Sequence, residues 1–84
     1  MSVDVTNARK IVVGADWRNY KAYQLGSTYR QPQGNCLLVN FLQNEKDESM
    51  VDLYLKPNKG ARFKWKSIRK DTFLEVEYDS NPGE

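Results

Sequence analysis

The sequence predicts an all-β domain, a small barrel or rolled antiparallel sheet of five or six short strands. Three observations carry this. The apolar residues alternate with a period of two along several short segments, glycine, proline and asparagine punctuate the chain between them, and no segment places its apolar residues on a helical stripe. At 84 residues the chain has room for one hydrophobic core and is read as a single domain, 1–84. Leu, Ile, Val and Phe together number 19, enough to place the chain among folding rather than disordered sequences.

The elements follow in order. Residues 1–8 read as a leader and a frayed end. Residues 9–13 end in Ile11-Val12-Val13 before Gly14, a short β-branched run of strand type. Residues 16–25 admit two readings. Asp16 is placed to cap a helix that Gly26 would end, but Trp17, Tyr20, Tyr23 and Leu25 scatter around a helical wheel, and three aromatics in seven residues suit a pleated surface, so a strand is expected. Residues 26–35 have loop composition, an excursion with Tyr29 and Arg30 as its contact residues.

Residues 36–42 are apolar on both faces, with Leu37, Val39 and Phe41 on the one assigned to the core, as suits a central strand. After a charged turn, 50–56 alternates with Val51, Leu53 and Leu55 inward and Asp52, Tyr54 and Lys56 outward. Residues 57–60, Pro-Asn-Lys-Gly, form a turn. Beyond it Phe63 and Trp65 point inward and Arg62, Lys64 and Lys66 outward. A last strand, 72–78, puts Leu74, Val76 and Tyr78 inside, and 79–84 is a polar, frayed end. The length fits an SH3-like barrel. An OB-fold would want a helix where only the turn 57–60 stands.

Several functional classes lose their chemistry. The chain has no histidine and one cysteine, which removes the commonest general base and tetrahedral nitrogen–sulfur metal sites within the chain. Its five glycines are isolated, so no phosphate-cradling loop is present. No catalytic residue, cofactor or metal is expected, and the chain is read as a binding protein, not an enzyme. A solitary cysteine, Cys36, reads as a small buried hydrophobe and points to an intracellular, cytoplasmic setting. The longest apolar run spans four residues, which excludes an apolar membrane-spanning helix.

One charge pattern points to function. Positions 56–70 hold Lys56, Lys59, Arg62, Lys64, Lys66, Arg69 and Lys70 with no acid, whereas 71–84 hold five acids and no cation. On an extended strand alternate cations lie about 6.5–7 Å apart, close to the repeat of phosphates along a nucleic-acid strand. Tyr54 and Tyr20, with Tyr23, Trp17 and Tyr29 as further candidates, offer rings for stacking bases. Single-stranded DNA or RNA is therefore the expected partner. The opposing reading is a salt-bridged hairpin of the last two strands, with Lys64 facing Glu75 and Arg62 facing Glu77, which cancels the field of the basic strand. The alternative function is a protein-interaction module or small inhibitor, docking by a sheet edge or by loop 26–35, with adjoining acidic and basic surfaces setting its orientation. A homodimer is another way for so small a domain to cover a sheet edge.

Overall fold

Alternating apolar residues need a pleated sheet to bury them on one side, and the computed structural model, which describes residues 5–78, meets that need with seven strands. These are β1 (Ala8–Asp16), β2 (Asn19–Gln24), β3 (Thr28–Gln31), β4 (Gly34–Gln43), β5 (Met50–Lys56), β6 (Phe63–Arg69) and β7 (Phe73–Tyr78). A single 3-10 turn, Lys70–Thr72, links β6 to β7. All pairings are antiparallel. One sheet has the order β2-β1-β7, and the other, β3-β4-β5-β6, curls into half a barrel. Among the described residues no helix is long and apolar enough to cross a membrane.

The segment with two readings is a strand. Asp16 does accept backbone N–H groups, from Arg18 at 2.8 Å and Asn19 at 3.1 Å, but they close the turn between β1 and β2 instead of opening a helix. Gly14 sits where β1 meets β2 at a register shift, and a Cβ there would collide with the backbone of Asn19 and Tyr20. Residues 26–35 are not an excursion. Leu25 still donates to the carbonyl of Arg9 in β1, whereas Gly26 donates to Leu38 of β4, so the chain changes sheets between these two residues. Gly26 has φ +88°, a left-handed conformation that favours glycine. The remainder of that segment is β3 and a tight connection into β4.

The two sheets pack on a shared core of Ile11 and Tyr23 from the first and Leu38, Phe41, Val51, Leu53, Leu55 and Ile68 from the second. Cys36 is also wholly buried there. Val51, Leu53 and Leu55 lie inward as their alternation requires. In β4 the expected parity holds at Phe41 but fails at Leu37. Leu38 pairs with Leu55 and Asn40 with Tyr54, so Val39 is an extra residue, and the bulge sends Leu38 and Phe41 inward while Leu37 and Leu42 face solvent. A similar bulge at Leu74 brings Phe73 and Val76, not Leu74, against the core. Phe63 and Trp65 are half-buried against it, and Tyr78 is exposed. Of the expected frayed ends, 1–4 and 79–84 lie outside the described residues, while Val5 and Ala8 are buried.

Candidate nucleic-acid interface

Because β5 buries Val51, Leu53 and Leu55, its alternate residues Asp52, Tyr54 and Lys56 belong to the outer face of the four-stranded sheet. Register sets their neighbours. Leu37 lies beside Lys56, Asn40 and Lys64 flank Tyr54, and Leu42 and Ser67 flank Asp52. Arg62, just before β6, donates to the side-chain oxygen of Asn40 and places its guanidinium carbon 5.3 Å from the centre of the Tyr54 ring. Lys56, Arg62 and Lys64 are exposed around a half-buried aromatic ring, with Leu37 and Leu42 on either side. Lys59 stands on the neighbouring turn, lining a shallow depression with Asn35 and Asn58, and Arg30 is exposed on β3 opposite Asn35.

The acids of β7 lie elsewhere. The expected hairpin, with Lys64 facing Glu75 and Arg62 facing Glu77, does not form, since β6 pairs with β5 and β7 with β1. The 3-10 turn Lys70–Thr72 carries the chain from one sheet to the other, so β6 and β7 never become ladder partners. Glu77 is opposite Lys10, whose ammonium is 3.3 Å away, and Arg9 approaches at 3.5 Å. The hydrogen bond and charge of Lys10, with a further hydrogen bond from Arg9, hold the Glu77 carboxyl below the usual glutamate range. Among the described residues neither Lys64 nor Lys59 is in an ion pair.

Not every candidate joins this face. In β6, Lys64 pairs with Tyr54 and Lys66 with Leu53, leaving Trp65 as a bulge, and Lys66 follows Trp65 to the inner side. Its ammonium lies 4.4 Å from the Trp65 ring centre and 3.3 Å from the Tyr23 hydroxyl. Arg69 is committed to Asp71 at 2.9 Å, which raises the guanidinium pKa further. Lys70 is half-buried in the 3-10 turn, and its N–H donates to Ser49. Tyr20 belongs to the other sheet, edge-on to Trp17. Tyr29 is no loop contact. Its ring packs 5.1 Å from Trp65, and its hydroxyl accepts from the Gln24 N–H.

Sequence reasoning missed Asp52. Read as solvent-facing from its parity, it is buried, and its Oδ1 accepts from Ser67 Oγ at 2.5 Å and Asn44 Nδ2 at 2.9 Å. Asn44 is fixed in turn by the N–H groups of Lys46 and Asp47. In the same loop Ser49 donates to Asp47 and lowers that carboxyl's pKa. No sequence signal marks the Asp52 cluster, because its members come from three separate segments. Comparison with known proteins finds no matching family model, no matching curated protein and no matching solved structure.

Proposed function

We propose that this chain is a small barrel of SH3-like type that binds single-stranded nucleic acid on the outer face of its four-stranded sheet, as a binding module and not an enzyme. The barrel type is supported by the 3-10 link between β6 and β7 and by the return of β7 to β1, with no helix where an OB-fold would carry one. The single observation behind the binding reading is the clustering of Lys56, Arg62 and Lys64 around Tyr54, on a different sheet from Glu75 and Glu77. Cations supply affinity for phosphates by releasing counterions, and the aromatic ring supplies stacking that any base satisfies.

The test is a titration with short single-stranded DNA and RNA over a range of salt. Three phosphate contacts give a slope of log K against log salt of about −2. Replacing Lys56, Arg62 and Lys64 with Gln should flatten that slope, whereas Lys66→Met, on the inner side, should leave it unchanged. Absence of binding at low salt overturns the proposal. A second reading, a protein-interaction module, is favoured by one observation, the exposed aromatic pair of Trp17 on the β1–β2 turn and Tyr20 in β2. The edge strand β3, with Arg30, is its other docking element.

A further inference from the structure

Both hydrogen bonds to Asp52 fall on one oxygen, Oδ1, and Oδ2 accepts nothing from the described residues. The side chain is held at 6% exposure yet lines a cavity of about 260 Å³, where loop 44–49 meets the outer sheet face. Leu42 and Tyr54 give this cavity apolar walls, and Lys46 and Lys64 line it as well. Its volume lies just below the roughly 300–1,000 Å³ of sites that take drug-sized molecules, and suits a single heterocycle. Glu45 is a further lining residue, so two acidic and two basic residues share the site. Such a lining suits a ligand with a hydrogen-bond-donating edge and an attached anion better than a free cation.

We infer that this cavity holds one nucleobase by its exocyclic amine, with Asp52 as the acceptor and Lys64 and Lys46 against the adjoining phosphates. A carboxylate oxygen can only accept from its partner, as cytosine N4 requires. Thymine and uracil present an imide N–H between two carbonyl oxygens, which a carboxylate repels. The inference rests on the proposed single-strand reading and adds a base preference to it. The packing on Oδ1 fixes the reader in place, since Ser67 from β6 and Asn44 from the loop both hold it.

The test compares oligo-dC with oligo-dT of equal length, so that phosphate contacts are matched. The protein should bind oligo-dC about tenfold more tightly, the scale of one hydrogen bond to a charged group. Asp52→Asn keeps an oxygen for Ser67 and Asn44 and turns an amide N–H toward the cavity, so the preference for oligo-dC should disappear or reverse. If this variant does not fold, the comparison on the unaltered protein still decides. A parallel NMR titration with cytidine monophosphate should shift the backbone amides of Asn44, Asp52 and Tyr54, and uridine monophosphate should not. Equal affinity for the two oligonucleotides, or a preference surviving Asp52→Asn, overturns the base pocket while the sheet-face reading stands. Loss of all oligonucleotide binding with the cytidine-specific shifts retained overturns the sheet-face reading and keeps the pocket. Absence of both overturns both.

Discussion

Strands β6 and β7 are consecutive, of similar length and opposite in charge, and three residues separate them, yet their charges meet different fates. On β7, Glu77 is matched across the ladder by Lys10 and approached by Arg9. On β6, Lys64 pairs with Tyr54 and is in no ion pair among the described residues, and the one cation turned inward, Lys66, is accommodated by the faces of Trp65 and Tyr23. Charge complementarity between neighbours in sequence is thus no guide to pairing when a short helical turn rotates the chain between sheets. What decides is which ladder each strand can complete. β6 finishes the meander of β4 and β5, and β7 finishes the sheet on β1.

The contrast can be broken most severely through packing. Ile68 of β6 is buried beside Val51, whereas Val76 of β7 is half-buried beside Ile11. Ile68→Ala should cost about 2–5 kcal/mol and Val76→Ala about 1–2 kcal/mol in denaturant unfolding. Equal costs would show that β7 anchors the core as firmly as β6. Ser67→Ala should come next, at about 1–2 kcal/mol, because it removes a donor from the buried Asp52 carboxylate. A change no larger than that of an exposed site would mean that Asn44 alone satisfies Asp52.

Smaller effects sharpen the contrast in charge. Lys64→Gln should weaken single-strand binding about fivefold at 0.1 M salt, and Lys10→Gln, whose partner is Glu77, should change it little. Similar losses for both would place the binding face across the two sheets. The smallest effect is expected at Glu77. Its carboxyl pKa is depressed in the folded chain, so its contribution is present above the pKa of the unfolded chain and is lost as pH falls through the lower folded value. Glu77→Gln should therefore lower the thermal midpoint slightly at neutral pH, and the difference should close in acid and in high salt. A difference that persists in strong acid would rule out the pairs with Lys10 and Arg9 as its source.

In β5, apolar on one face and polar on the other, the fold was legible, whereas the equally regular alternation of β7 was broken by its bulge at Leu74. Val51, Leu53 and Leu55 are buried as their spacing implies, and the segment around Tyr20 and Tyr23 is a strand because no helical stripe competes. Residues 36–42 were harder, since apolar side chains on both faces leave parity unspecified and the bulge at Val39 has no sequence mark. The site was half legible. Lys56, Arg62, Lys64 and Tyr54 follow from alternation, but Lys66 was displaced by the bulge at Trp65, and Tyr29 was hidden in a segment of loop composition. Asp52 required knowing that Ser67 of β6 and Asn44 of the loop converge on it.

Cys36 sits at zero exposure in β4, the strand that pairs with both β3 and β5. A thiol so placed can meet an alkylating reagent only when the sheet opens, so its labelling rate clocks that opening. When reclosing outpaces the chemical step, the observed rate is the intrinsic thiol rate multiplied by the opening equilibrium constant. Because no second cysteine competes, every labelling event reports from this one position. A ligand seated on the outer face should slow labelling by the factor through which it favours the closed sheet. The same sulfur thus measures occupancy of a surface it never touches.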